Sequence, residues 1–309
     1  MTRYTRSFLI LIALLVIGPH ILYPIFLMKV LCFALFACAF NLLLGYGGLL
    51  SFGHAAYFGM ASYVCAHAAK IWGWPPELCI LLGTSAAALL GLIFGALAIR
   101  RQGIYFAMIT LALAQMIYFF ALQAGFTGGE DGIQSVPRGN LFGVINLAND
   151  LALYHVVALI FLGGFWMIFR IVHSPFGQVL KAIRDNESRA ISLGYRASQY
   201  KLLVFVLSAA LAGLAGATKV IVFQLASLTD VHWMMSGEVI LIVLVGGMGT
   251  ILGPVVGAFV IVAMENYLAP LGAWVTVIQG LVFVVCVLLF RQGIVGLFQR
   301  HPARLKKST

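Results

Sequence analysis

The sequence predicts an all-α protein, a polytopic transmembrane helical bundle of about ten membrane segments. Three observations lead there. Of 309 residues, 62% are hydrophobic and only 9% are charged, whereas a soluble domain carries about a quarter charged residues. The mean hydropathy is +1.05. The apolar residues come in repeated runs, and the charges lie in the gaps between them, where topology signals sit. The formal net charge of +10 therefore does not point to nucleic acid.

The runs occupy residues 8–27, 30–44, 55–69, 78–99, 104–122, 151–169, 202–225, 239–245, 254–268 and 274–290. The first follows Arg3 and Arg6 without a small-residue cleavage site, so it reads as a retained helix. Pro19 and Pro24 are expected to kink or end it. Trp72, Trp74, Pro75 and Pro76 mark an interface belt and a turn after the third run. The five cysteines (Cys32, Cys38, Cys65, Cys79, Cys286) lie in apolar runs with no CxxC, so they read as inert buried thiols.

Alternating crossings with the N-terminus inside can be checked against charge. The proposed inner pieces carry two, two, six and five Lys or Arg, 15 of the 19; the outer pieces carry Lys29, Lys70 and Arg138. This asymmetry predicts ten crossings, both termini cytoplasmic, a periplasmic loop over 123–150 and a basic cytoplasmic tail over 291–309, within one transmembrane domain spanning 1–309. Lys219, well along the seventh run, is expected to snorkel to the outer headgroups without a transport role.

The longest water-compatible inner segment is 170–201, with six Lys or Arg and the acids Asp185 and Glu187. Ser174 suits an N-cap and Pro175 the first helical position. Phe176, Val179, Leu180 and Ile183 then recur at i, i+3, i+4 and i+7, one apolar face on a charged helix. Gly194 is placed to end a second short helix in the left-handed conformation. Such an element suits a membrane surface or a groove on a soluble partner; a solvated basic loop obeying the charge rule satisfies the same periodicity.

Residues 237–268 are 32 in number, too few for two full crossings, which need about 40. Their middle is glycine-rich: Gly246, Gly247, Gly249, Thr250, Gly253. An earlier stretch is similar: Gly47, Gly48, Ser51, Gly53, His54. Glycine-rich backbone at membrane depth must be buried in protein or line a cavity. Corresponding glycine-interrupted segments in two halves suggest an internal repeat around a central path. These residues, with Gln115, are the candidate path. Asn41, Thr110 and Gln279 are the other mid-span polar groups; like Gln115, each suits a hydrogen bond to substrate or, more often, one between helices. Small residues spaced by four (Ala87, Gly91, Gly95; Ala209, Gly213, Ala217; Ala212, Gly216) predict close helix packing.

Chemistry is sparse. The sequence contains no GxxxxGK[ST], HExxH or GxSxG, so neither catalytic residues, a metal site nor a cofactor is expected. Glu238 and Glu265 fall near the outer ends of their runs, and no carboxylate sits mid-span, which argues against ion coupling. A path without a coupling ion or a nucleotide loop needs an outside engine, and 170–201 is the place for one to grip.

The run ALFACAFNLLLGYGGLLSFGHAAYFGMASY, the segment TGGEDGI, the loop SPFGQVLKAIRDNESRAISLGYRASQYK and the stretch SGEVILIVLVGGMGTILGPVVGA occur in this order. Together they resemble the inner-membrane permease subunits of branched-chain amino acid ABC importers. The resemblance covers roughly residues 33–296. It implies import of leucine, isoleucine, valine or a similar amino acid across a bacterial inner membrane. It also implies a second homologous permease, two cytoplasmic ATP-binding subunits and a periplasmic binding protein. Permeases for urea and other amides are similar. In the family's ATPase-docking "EAA…G" pattern, Gly194 matches; Ser188, Arg189 and Ala190 occupy the Glu-Ala-Ala place, with Glu187 one residue early. The resemblance thus makes Phe176, Leu180, Ile183, Arg184, Asp185, Glu187 and Gly194 the coupling candidates. A stand-alone secondary carrier or channel is the reading from another class, and an intramembrane enzyme using Ser51 and His54 a third.

Overall fold

The apolar runs form helices in the computed structural model, the first breaking at residues 22–23 so that Pro24 begins the next; the structure describes residues 3–143, 145–272, 274–289 and 293–299. The first half comprises α1 (Arg3–Ile21), α2 (Pro24–Asn41) with a π turn (Leu42–Tyr46), α3 (His54–Lys70), α4 (Pro76–Ala98) and α5 (Ile104–Gln123). Then follow α6 (Asp150–His173), α7 (Pro175–Asp185), α8 (Glu187–Ser192) and α9 (Ala197–Phe223). The rest is α10 (Leu228–Val231), α11 (Trp233–Gly246), α12 (Gly253–Leu268), α13 (Trp274–Leu289) and α14 (Gly293–Gln299). Of the expected basic tail, Arg291, Arg300, Arg304, Lys306 and Lys307 lie outside the described residues.

Among the described residues, five helices are long and apolar enough to cross a bilayer: α2 with its π turn, α4, α5, α6 and α9. Their burial separates them. α2 and α9 have 89% and 78% of their apolar window buried, while α4, α5 and α6 have 33–44%. So α2 and α9 form the centre, and α4, α5 and α6 surround it with apolar outer faces. α3, at 17 residues, is buried along nearly its whole length against them. α11 and α12 have 14 and 16 residues. At 1.5 Å per residue they are about 21 and 24 Å long, short of the roughly 30 Å hydrocarbon core.

The small-residue spacing works as expected. A Cβ on Gly213 would strike the Ala87 methyl, and one on Gly91 the Ala209 methyl. On Gly95 it would come within 2.9 Å of the Phe205 ring. α4 and α9 therefore touch almost backbone to backbone. Among lipid tails no hydrophobic effect draws helices together, so this van der Waals contact is what holds the pair. The five cysteines are buried and unpaired.

One end of the bundle is covered by the 123–150 segment. It is not wholly irregular, as four two-residue strands form there and after α9. β1 (Ile133–Gln134) pairs antiparallel with β4 (Leu225–Ala226), and β2 (Asn140–Leu141) with β3 (Ile145–Asn146). Arg138 binds Asp150 at 2.8 Å and the Val222 carbonyl at 3.1 Å, tying this cover to the starts and ends of α6 and α9.

Lys219 does not snorkel. It is 9% exposed, and its Nζ donates to both carboxylate oxygens of Asp230, at 2.8 and 2.7 Å. The chain reverses after α9, and a capping box at Ser227 starts α10 and swings Asp230 back over the lysine. Lys29, expected in an outer gap, lies inside α2 and pairs with Glu265 of α12 at 3.0 Å. Gln279 also donates to Glu265.

Candidate transport site: a charged clasp on two glycine loops

At the other end of the bundle, α7 and α8 join α6 to α9. The Ser174 hydroxyl accepts the Gly177 N–H at 3.3 Å, and Pro175 begins α7. α8 is capped by Asn186, which accepts the Arg189 N–H at 3.0 Å. It ends in a Schellman motif: the Gly194 N–H bonds the Ile191 carbonyl and the Tyr195 N–H the Ala190 carbonyl. Gly194 has φ +92°, the left-handed value that a side chain disfavours.

The apolar face of α7 points inward. Leu180 is fully buried and Ile183 is 2% exposed. Ile183 packs with Ala190 and Ala197, and Phe176 stacks on Tyr200 of α9 at 5.5 Å between ring centroids. The apolar side chains left outside are Ile191, Leu193 and Tyr195, flanking Gly194. Two surface clefts lie beside them and share Tyr195 and Gln199 in their walls. Glu187 holds α8 to the bundle. It accepts from Lys201 at 2.6 Å and from Gln102, between α4 and α5, at 2.9 Å. Arg184 and Asp185 form an adjacent ion pair at 3.0 Å.

The structure brings the two glycine loops together. Asn41, at the end of α2, gives its Nδ2–H to the Thr250 carbonyl at 2.8 Å and accepts the Gly249 N–H on Oδ1 at 2.9 Å. One side-chain amide thus stands in for a short stretch of backbone pairing. A Cβ on Gly45 would fall 2.9 Å from Gly249 Cα, so only glycine permits the contact. Both loops use the same local device: Ser51 Oγ accepts the Gly53 N–H at 3.1 Å, and Thr250 Oγ1 accepts the Gly253 N–H at 3.0 Å. Arg184 Nη1 donates to the Gly45 carbonyl, and Lys181 Nζ lies 5.5 Å from the Tyr46 ring centroid.

Other candidates are buried in this conformation. Ser51 and His54 are fully enclosed, as are Gly47, Gly53, Gly246, Gly247 and Gly253. His54 Nε2 lies 2.8 Å from Ser208 Oγ, which itself donates to the Ala39 carbonyl. Ser208 has only one hydrogen to give, so the histidine carries its proton on Nε2. The imidazole is edge-on to Phe40 and Tyr57. Among the described residues His54 Nδ1 has no hydrogen-bond partner, so no acid orients the imidazole as a hydrolytic triad requires. Gly48 is exposed, and Gly249 and Thr250 are half-buried. Gln115 is half-buried on α5; among the described residues it hydrogen-bonds to neither loop.

Helix starts at such loops present backbone N–H groups that suit a carboxylate. Here two of them are taken and one position lacks a donor. Gly53 N–H goes to Ser51 and Ala55 N–H to Ser236 Oγ at 2.9 Å, while Pro254 has none to give. Thr110 accepts from the Phe52 N–H at 3.1 Å. The roles of Asn41, Thr110 and Gln279 as interhelical links match their sequence reading; the specific partner of Asn41 did not show in the sequence.

The chain is 26% identical over 289 residues to the Escherichia coli high-affinity branched-chain amino acid transport system permease protein LivM, covering 86% of this chain and 68% of that one. It is 27% identical to the Bacillus subtilis ribose import permease protein RbsC, over 92% of this chain and 90% of that one. It is 30% identical over 59% of its length to the Klebsiella pneumoniae autoinducer 2 import system permease protein LsrC, covering 54% of that protein. No solved structure matches it. Residues 23–288 match the family described as "Branched-chain amino acid transport system / permease component". With its bundle of apolar helices and paired glycine loops, the chain belongs to that family of membrane permeases.

Proposed function

We propose that this permease moves branched-chain amino acids into the cytoplasm, driven by ATP hydrolysis on partner subunits. The permease itself is a transport component and not an enzyme. A second homologous permease, two cytoplasmic ATP-binding subunits and a periplasmic binding protein complete the importer. The α7–α8 end faces the cytoplasm and the 123–150 cover faces the periplasm, as the 15-of-19 basic asymmetry supports.

The observation that carries this reading is the attachment of α7, through Arg184, to the Gly45 carbonyl beside the first glycine loop, which Asn41 in turn bonds to the second. A partner that grips α8 around Gly194, Ile191, Leu193 and Tyr195 has a mechanical hold on the interior. Closure of the ATPases would displace α7 and open or close the loops 47–53 and 246–253, giving alternating access. The apolar surroundings of the loops suit an aliphatic side chain.

The test is uptake by the reconstituted importer, with ATPases, second permease and binding protein supplied. Leucine, urea and ribose serve as competing radiolabelled solutes. ATP-dependent leucine accumulation is expected. The likeness to the ribose permease over 92% of the chain favours a sugar as the second reading, and ribose accumulation without leucine would establish it. Gradient-driven flux through this chain alone would overturn both.

A further inference from the structure

We infer that Arg184 is the positioning residue through which movement of α7 reaches the two glycine loops. The inference rests on the proposed ATP-driven function, because a partner ATPase is what moves α7.

Lys181 and Arg184 are three residues apart and so share one face of α7. Both meet the end of α2: Lys181 lies over the Tyr46 ring, and Arg184 bonds the Gly45 carbonyl. Carbonyls at a helix C-terminus lack intrahelical partners and carry the negative end of the dipole. A guanidinium is therefore the strongest cap available for α2, and its planar fork keeps direction where an ammonium would swivel. Asp185 holds the other edge of that fork through Nε and Nη2, at 3.2 and 3.0 Å.

The stem is fixed as well. A Cβ on Gly48 would fall 2.7 Å from Arg184 Cγ, and one on Gly249 would lie 3.9 Å from Nη1. Gly48, at φ +69°, leaves the room the arginine stem occupies. One step further, Gly45 abuts Gly249, and Asn41 bonds Gly249 and Thr250. From α7 to both loops the connection thus runs through one rigid side chain, backbone, and one amide. Lys201 and Glu187 tie α8 to α9 instead, so they anchor the pair without reaching the loops.

The experiment uses the complete importer in liposomes and reads ATP hydrolysed per solute accumulated. Arg184→Ala should still assemble and hydrolyse ATP, with that ratio raised about tenfold, the equivalent of one charge-assisted hydrogen bond. Arg184→Lys, which can still donate to Gly45, should recover much of the loss. An unchanged ratio in Arg184→Ala overturns the inference while leaving the importer intact. Absence of ATP-driven uptake by the unmutated importer would overturn the underlying reading, and the inference with it. If Arg184→Ala fails to assemble, spin labels at Gln178 and Met248, both exposed, decide the matter with Arg184 in place. Their separation should stay constant between ATP-free and ATP-trapped states; a changing separation overturns the inference.

Discussion

Lys219 and Asp230 face each other inside the bundle with side chains 11% and 3% exposed, and both carboxylate oxygens receive the ammonium. Their dependence is unequal. Asp230 also accepts from the Ser227 N–H and hydroxyl, whereas among the described residues the ammonium has, beyond Asp230, the Phe223 ring 5.9 Å away. Breaking a buried pair costs about 3–5 kcal/mol. Asp230→Ala should therefore destabilise more than Lys219→Met, which leaves the carboxylate two donors. Lys219→Met with Asp230→Leu should regain most of the loss. Denaturant titration in detergent would rank the three.

Asn41 bridges 208 residues of sequence to reach Gly249. Asn41→Leu keeps the branched shape and removes both hydrogen bonds, leaving a half-buried N–H and carbonyl unmet, each at the low end of about 1–3 kcal/mol. Thermal stability should fall and uptake with it. Asn41→Asp keeps the acceptor for Gly249 and sets an oxygen against the Thr250 carbonyl, so it should be no better than leucine.

The α4–α9 contact should respond to volume rather than polarity. Gly213→Val drives a side chain into Ala87 and should cost about 1–3 kcal/mol or more. Gly213→Ala with Ala87→Gly exchanges one methyl across the same gap. Because the two sites touch, the pair should be much closer to unmutated stability than the sum of its parts. A melting-temperature double-mutant cycle measures the coupling.

Gly194 separates folding from docking. A Cβ there meets open space, so the folding penalty is only the left-handed strain of about 1–2 kcal/mol. Gly194→Leu should insert and fold, yet lose co-purifying ATPase and uptake. Unchanged assembly and uptake would refute docking at this turn.

The residues whose meaning showed in the sequence act over short spans. Ser174 and Pro175 start α7, and Gly194 ends α8, through bonds to neighbours three to five residues away. The four-residue spacing of Ala87, Gly91 and Gly95 likewise declares a helix face. The periodicity of Phe176, Leu180 and Ile183 showed that α7 has an apolar side. It could not show that the side is consumed by Tyr200, Ala190 and Ala197, since that depends on how the chain returns. Lys219 misled for a related reason: its acid lies beyond the helix end, reached only through the Ser227 turn. The reach of Asn41 to Gly249 and of Arg184 to Gly45 crosses 208 and 139 positions, and no local pattern encodes such distances.

The π turn over 42–46 carries one more residue than an α-helical turn of the same height. Each residue advances a helix by about 100°, so this single surplus sets the azimuth of everything after it. Deleting any one of residues 42–44 would leave α2 seated but swing the Gly45 carbonyl away from the guanidinium that reads it. The phase between the central helix and its charged clasp is thus set by one residue's worth of rotation.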